Sequence, residues 1–493
     1  MSLNLVNVVF GMKVRQARTE AGLSLSEFAS LCELSPSYVT EIEKGRKYPR
    51  ADKIMRMAEV LGKSYDELVS IKLDASLKYL ESALSSAVMR RFPFAEFGLE
   101  AGDLVTLLTR EPIKISALIH AILEIGRRYD LKEEDFLRAA LRSYQEIHEN
   151  YFPDLEEAAL AFTAEFGPKY NFTGELPVRL DVLETILQEE YHYKIDREAI
   201  VANPLLSRFR SVFVRAPQPR LYVNGKLYPR QIKFLIAREL GYRYLGLEER
   251  SITSTPDRVT SFQQLLNDFK AAYFGGALLM PRANMTADLQ QLFDMTTWSP
   301  LPFKQLLAKY DVTPEMLLYR FSELVPEFFG LRLHFLRFHH VNDTFHLIKH
   351  LNMNQLLVPS GIGLHEHHCR RWLSVRLLQE IANQPIEETH VGVQISEFLE
   401  SQERFLCLGF ARPLVLSPNV NSSVIVGFRV TPDLKQVVRF LDDPAIPHVI
   451  IHETCERCPL TEAQCQVRAA EPTQLREAQI DRERRLAINE LGA

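Results

Sequence analysis

At 493 residues the chain is longer than a single hydrophobic core supports, so roughly three or four domains are expected. A 46% hydrophobic, 25% charged composition is that of an ordinary soluble globular protein. Its net charge of −5 excludes whole-chain electrostatics as the basis of nucleic-acid binding, which must then be local. No apolar run reaches the roughly 18 residues of a membrane helix, and Met1-Ser-Leu-Asn lacks the basic start of a signal peptide. A cytoplasmic protein with no membrane partner is expected.

From Val8 to Ile71, apolar positions recur at helical spacing in five blocks, at about 8–21, 25–32, 36–44, 50–61 and 64–70. Gly22 closes the first, Ser24 or Ser26 can cap the second, Ser35-Pro36 opens the third, and Gly45 closes it. Helix, tight turn, helix is the core of a helix-turn-helix unit. The residues Arg15-Gln-Ala-Arg18, Gly22-Leu-Ser-Leu-Ser-Glu-Phe-Ala29, Ser35-Pro-Ser-Tyr-Val-Thr-Glu-Ile-Glu-Lys-Gly-Arg46 and Pro49 resemble the lambda-repressor-like, Cro-type DNA-binding family. In that family the third helix enters the major groove while flanking groups hold phosphates. The resemblance makes Ser35, Ser37, Tyr38, Thr40 and Glu41 candidates for base or sugar contact, and Lys44, Arg46, Lys47 and Arg50 candidates for the DNA backbone. Val39 and Ile42 are expected in the core, as is Cys32 in its apolar register. Residues 1–70 hold ten Lys and Arg against nine Asp and Glu, with the basic residues clustered in 44–56. The alternative is a five-helix module used for protein contacts.

Residues 72–170 read as helical, through Leu73–Val88, Ile115–Tyr129 and Phe136–Ile147, punctuated by Pro93, Pro112 and Pro153. Since one Cro-type head reads a half-site, this stretch is placed as a linker or dimerisation region. Packing on the next domain is the alternative. The runs Lys132-Glu-Glu-Asp135 and Glu156-Glu157 are expected to be solvated helix starts.

Over 171–330 the pattern turns to α+β. Leu176–Leu187 reads as helix, Arg210–Arg215 and Pro219–Asn224 as strands, and Asn224-Gly225 as a hairpin turn signal. The helix from Tyr228 to Leu245 has the frame of H-E-x-x-H, in which two His hold zinc and the Glu between them is the base. Here Arg238 and Tyr242 stand at the His positions and Glu239 remains. An arginine cannot release its proton to bind a cation, and a phenol is a poor imidazole substitute. With Leu278-Leu-Met-Pro281 downstream, the block resembles the zinc peptidases fused or paired with phage-type repressors. Aligned on that ending, the family's third ligand falls on Lys270, and Glu239 is expected to pair with Arg238, Arg243 or Lys270. The resemblance therefore implies a degenerate, non-catalytic pseudo-peptidase. Helices follow at 302–310 and 314–324.

Residues 331–493 read as an α+β sensor domain. Strands are expected at Leu331–Val341, Thr344–His350, Arg404–Phe410 and Ser423–Val430, antiparallel by their short connections, with helices near Arg370–Asn383 and Thr431–Leu441. The run Cys455-Glu-Arg-Cys-Pro-Leu-Thr-Glu-Ala-Gln-Cys465 brings three thiols within eleven residues. Cys369 is the best fourth ligand, with His365, His367 or His368 as substitutes. Four cysteines suit either structural zinc or a 4Fe-4S cluster, and spacing does not choose. Cys407, inside an apolar run, is left in the core.

The Cro-type head, the degenerate peptidase block, Gly361-Ile-Gly-Leu-His-Glu-His-His-Cys-Arg-Arg-Trp372 and the terminal cysteines together resemble bacterial regulators that answer to short-chain fatty acyl-CoA. Such regulators act on glyoxylate or methylcitrate pathway genes. The resemblance implies homodimeric or higher-order binding to a double-stranded DNA operator, an acyl-CoA effector, and an iron–sulfur cluster on Cys369, Cys455, Cys458 and Cys465. The effector pocket is not assigned. A defence or antitoxin-like repressor with a protein partner is the alternative, and a repressor-cleaving metallopeptidase a second. The expected architecture is thus multidomain: an all-α helix-turn-helix head (1–71), a helical middle (72–170), an α+β pseudo-peptidase domain (171–330) and an α+β C-terminal sensor domain (331–493).

Overall fold

The structure, a computed structural model, describes residues 5–70, 93–98, 132–215, 217–254, 258–342, 344–359, 366–383, 389–461, 463–469 and 480–486. The chain divides into two compact units, residues 1–144 with 260–262, and residues 145–259 with 263–493. The helices expected at 73–88 and 115–129, with the dimer contacts assigned to them, lie outside the described residues. Among the described residues no helix is long and apolar enough to cross a membrane.

The first unit begins with five helices, α1 (Leu5–Glu20), α2 (Leu25–Leu31), α3 (Pro36–Glu43), α4 (Ala51–Leu61) and α5 (Tyr65–Val69). Local chemistry sets their ends. Ser24 caps α2 in a reciprocal box with Glu27, and Ser64 does the same for α5 with Glu67. Ser35 caps α3 with Pro36 at its first position, and Gly62 ends α4 in the left-handed region. Val39 and Ile42 are fully buried beside Phe10, Phe28, Cys32 and Met57, as expected. α1 meets α3 through Gly11, where a Cβ would lie 2.3 Å from the Ile42 carbonyl oxygen.

The second unit carries α7 (Pro153–Tyr170), α8 (Leu180–Glu189), a short strand β1 (Lys194–Asp196), α9 (Ala199–Ala202), β2 (Ser211–Val214) and β3 (Arg220–Val223); α6 (Glu133–Ile147) precedes them. The small sheet has order β1-β3-β2, with β1 parallel and β2 antiparallel to β3. The hairpin therefore turns between β2 and β3. Asn224-Gly225, expected to be a hairpin turn, instead leads from β3 towards the next helix. The buried Asn224 amide donates to the Ser207 and Phe209 carbonyls, which commits it to anchoring that loop.

Five helices follow the small sheet: α10 (Pro229–Tyr244), α11 (Phe262–Leu279), α12 (Arg282–Phe293), α13 (Leu301–Tyr310) and α14 (Pro314–Phe329). α10 and α11 approach through glycines. A Cβ at Gly241 would lie 2.9 Å from the Ala271 oxygen, and one at Gly275 3.0 Å from the Arg238 nitrogen. This close crossing brings positions 238 and 242 against α11.

The C-terminal part is a six-stranded sheet of order β5-β4-β8-β7-β6-β9, from β4 (Leu333–Val341), β5 (Thr344–Asn352), β6 (His390–Phe398), β7 (Arg404–Leu414), β8 (Ser417–Arg429) and β9 (His448–Ile451). Helix α15 (Leu373–Asn383) covers one face, burying Trp372, Leu373 and Leu377 against Leu336, Phe338, Cys407 and Ile425. Cys407 is a core residue, as read. The other face packs on α14. Two strands went unpredicted, β6 and β9, and their pairing is parallel, which departs from the all-antiparallel expectation. A short helix α16 (Pro432–Val437) and a 3-10 turn (Arg439–Asp442) occupy the predicted final helix.

Candidate functional site

The DNA-reading surface is built by α3 and the basic segment after it. The structure separates the nine sequence-predicted residues by what they already do. Ser35 is a structural cap, its hydroxyl accepting the Tyr38 N–H at 3.2 Å and lying 3.1 Å from Ser37 Oγ. Thr40 Oγ1 donates back to the Pro36 carbonyl at 2.9 Å. Glu41 pairs with Arg46 at 3.2 Å. Tyr38, read as exposed, is half-buried on the core, with the Lys53 and Lys47 ammonium groups 4.4 and 5.6 Å from its ring centroid. Lys44 is half-buried at the end of α3. Ser37, Arg46, Lys47 and Arg50 are exposed. Behind this face, Glu43 is buried and forks onto Arg18 at 2.6 and 3.1 Å, which ties α3 to α1. That ion pair holds the Arg18 guanidinium above its ordinary value.

The degenerate metal frame is filled by its own side chains. Arg238 Nη2 donates to Tyr242 Oη at 2.9 Å, and the Tyr242 hydroxyl donates to Asp268. Arg238 also lies 3.5 Å from Asp268 Oδ1 and donates to the Ser254 carbonyl at 2.7 Å. The third position is therefore taken by Asp268, not by Lys270, which is half-buried two residues further along α11. Asp268 further accepts the Ser251 hydroxyl. Glu239 is buried in a two-point ion pair with Arg250, one arm at 2.8 Å, and accepts the Tyr193 hydroxyl at 2.7 Å. Arg243 reaches it only through Tyr193, donating to that hydroxyl at 2.6 Å. Its partner is thus Arg250, which was not among the three expected. Arg250 stacks 3.8 Å from the Tyr242 ring centroid and 3.9 Å from that of Phe213. Two guanidinium groups bring positive charge to the frame, and both Glu239 oxygens accept hydrogen bonds from protein groups.

A second buried network was invisible in the sequence. Arg320 on α14 is almost fully buried and forks onto Glu156 at 2.6 and 2.9 Å. It also meets Glu323 at 2.8 Å and donates to the Met280 carbonyl at 3.1 Å, within the Leu-Leu-Met-Pro segment. Glu156, read as a solvated helix start, is instead a core ion-pair partner that accepts the Tyr273 hydroxyl as well. Burial pushes the Glu323 carboxyl up to about 7.

The four predicted cysteines sit in one region and all are buried. Cys369 N donates to the Glu453 carbonyl at 3.2 Å and Cys455 N to the His367 carbonyl at 2.8 Å, so the two segments run side by side. Burial pushes the Cys369 and Cys458 thiols up. Cys455 is an electrostatic neighbour of both, and Cys465 of Cys458. Among the described residues, no group of three or more His, Cys, Asp or Glu is arranged to hold a metal ion. One observation nonetheless fits an anionic group there. Arg371 is an electrostatic neighbour of Cys369 and Cys458, yet its buried Nε and Nη2 have no hydrogen-bond partner among the described residues. Of the described histidines, His367 is bound through Nδ1 to Glu456 at 2.7 Å and His368 through Nε2 to the Pro359 carbonyl at 2.8 Å, which leaves the other ring nitrogen of each as the one that could ligate. His365 lies outside the described residues.

Residues 14–68 match the family described as helix-turn-helix, spanning most of α1 to α5. Residues 191–322, from the start of the small sheet into α14, match the family described as IrrE N-terminal-like domain. The chain is 24% identical over 357 residues to the HTH-type transcriptional regulator RamB of Mycobacterium tuberculosis, covering 66% of this chain and 68% of that protein. Over 60 residues it is 33% identical to Control protein C.BamHI of Bacillus amyloliquefaciens, covering 12% of this chain and 74% of the other. A solved structure of a Mycobacterium tuberculosis transcriptional regulator aligns with 18% identity and a TM-score of 0.47, covering 68% of this chain and 94% of that one.

Proposed function

We propose that this DNA-binding helix-turn-helix transcriptional regulator controls genes of short-chain fatty acid metabolism, of the glyoxylate or methylcitrate pathway type, in answer to an acyl-CoA effector. The observation that carries the reading is the head: a complete capped five-helix unit whose third helix and basic flank present Ser37, Arg46, Lys47 and Arg50 to solvent. Likeness to RamB over two thirds of the chain favours a gene regulator over a defence-type control protein, whose likeness stops at the head. Two such heads in a homodimer or higher oligomer read a near-palindromic operator, and ligand binding in the second unit biases their spacing.

The pseudo-peptidase block acts as a scaffold without catalysis, because Arg238, Tyr242 and Asp268 are bound to one another and Glu239 is held by Arg250. In the C-terminal domain Cys369, Cys455, Cys458 and Cys465 would hold a 4Fe-4S cluster, with Arg371 supplying positive charge beside it. Bound there, the cluster would make the fold responsive to oxidants.

Footprinting on the chain's own promoter region, with and without acetyl-CoA or propionyl-CoA, tests the regulatory reading. Protection of a two-fold site that shifts with acyl-CoA is expected; no protected site, or one indifferent to every acyl-CoA, contradicts it. For the cluster, anaerobically purified protein should be brown with iron and sulfide in equal amounts. A colourless protein with stoichiometric zinc would refute it in favour of a structural zinc site.

A further inference from the structure

One face of the six-stranded sheet carries charge where a core would be apolar. Strand register sets His346, His339, Ser422 and Arg412 in one row across β5, β4, β8 and β7. Lys349, Arg337 and Val424 form the next row. Residues opposite one another across strands share a face, so Arg337, Arg412, His339 and Lys349 project towards the same side, where α14 packs. From α14, Glu315 takes Arg412 Nη2 at 2.9 and 2.8 Å and lies 3.9 Å from Arg337. Arg210, just before β2, is an electrostatic neighbour of all three.

The charges do not cancel. Three guanidinium groups share one carboxylate, Glu315; Lys349 beside them, its ammonium group 3.6 Å from the Tyr319 ring centroid, has Glu323 as an acidic neighbour of its own. Among the described residues, the buried Arg412 Nε and His339 Nε2 find no hydrogen-bond partner. Arg337 and Arg412 are only 16% and 12% exposed, whereas Arg210 still reaches solvent while its surroundings are crowded by protein. The same crowding and mutual repulsion push Arg210 down to about 10, while its two arginine neighbours hold Glu315 down at about 2.

Uncompensated, desolvated guanidinium groups with idle donors are costly unless an anion completes them. We infer that Arg210, Arg337 and Arg412 form a binding site for the phosphate group of a small molecule. Guanidinium forks match phosphate oxygens in two-point hydrogen bonds, and an excess of two positive charges suits a dianion. Two of the three arms rise from β4 and β7, the central strands on either side of β8, so little ordering is needed on binding. A duplex backbone could not reach side chains this enclosed. The acyl-CoA reading is one source of such a phosphate, since coenzyme A carries three, and free pyrophosphate is another; the site stands without that reading.

Calorimetric titration of the full-length protein with sodium pyrophosphate, in chloride buffer, tests the inference. One saturable site per chain is expected, with coenzyme A competing for it. Arg210→Gln and Arg337→Gln should each weaken pyrophosphate binding by at least about tenfold. Among the described residues Arg210 makes no ion pair, so Arg210→Gln should fold, and without phosphate it should melt above the wild type because repulsion is relieved. Pyrophosphate that binds while coenzyme A neither binds nor competes leaves the site standing and removes the acyl-CoA reading. The inference is overturned if neither compound binds, or if binding is unchanged in both variants.

Discussion

Helix α3 in the head and helix α10 in the pseudo-peptidase block both carry a recognisable functional frame, but they use polar residues in opposite ways. On α3 the polar positions face water: Ser37 is exposed, and Arg46, Lys47 and Arg50 follow on the exposed flank. On α10 they face inwards, and Arg238, Glu239 and Tyr242 are all buried and bound to protein partners. An exposed polar face is available to a ligand at little cost to the fold. A buried one, once satisfied from within, is part of the fold. The α10 frame is packed tightly on α11 through Gly241 and Gly275, which makes its polar positions part of the fold.

This contrast predicts where substitutions hurt. The largest effect should come from Arg320→Ala, which strands Glu156 and Glu323 in the core. A loss of about 3–5 kcal/mol is expected on denaturant unfolding of the second unit, as for other broken buried ion pairs. An unchanged midpoint would show that the network is not integral to the fold.

Acid should separate the two units next. Residues 1–70 contain no histidine, whereas His334 in β4 is fully buried against Asn354 and burial pushes it down to about 4. Its folded value lies below the ordinary 6.5, so the unfolded chain takes up the proton first. Stability of the second unit is then complete above pH 6.5 and falls by about 3 kcal/mol as pH drops towards 4. Thermal melts across this window should show it destabilising ahead of the head, and His334→Gln should flatten the dependence. A head that melts with the same pH dependence would contradict the assignment.

The smallest effect sharpens the reading of α3. Ser35→Ala removes a helix cap and should cost about 1 kcal/mol of head stability. Ser37→Ala, two residues further on and not a cap, should cost almost none while weakening DNA binding. Equal losses of stability would mean that Ser35 has no special structural role.

The head was legible nearly in full because each of its signals is local: helical spacing, capping Ser, Pro at the first turn and closing Gly. The structure chose Ser24 over Ser26 as the cap because Glu27 completes the box from three residues on. The peptidase frame was legible at 238, 239 and 242, but the third position was misplaced by two residues. Alignment on Leu278-Leu-Met-Pro281 ignored which face of α11 meets α10, and Gly275, Ala271 and Asp268 define that face. The Arg320–Glu156 pair joins residues 164 apart, and the arginine rows exist only once strands are in register, so neither leaves a local trace. β6 did leave one, the alternation of Val391, Val393 and Ile395, which was overlooked. β9, four residues on a parallel edge, is too short for any pattern.

The claim that the exposed flank of α3 reads DNA is tested most directly by fluorescence anisotropy. Full-length wild type and a Lys47→Ala, Arg50→Ala double variant would be titrated onto the chain's own promoter DNA over a range of salt concentrations. Two lost phosphate contacts should weaken binding for every sequence and reduce the slope of log affinity against log salt by about 2, with folding intact. Identical affinity and slope in the two proteins would contradict the account.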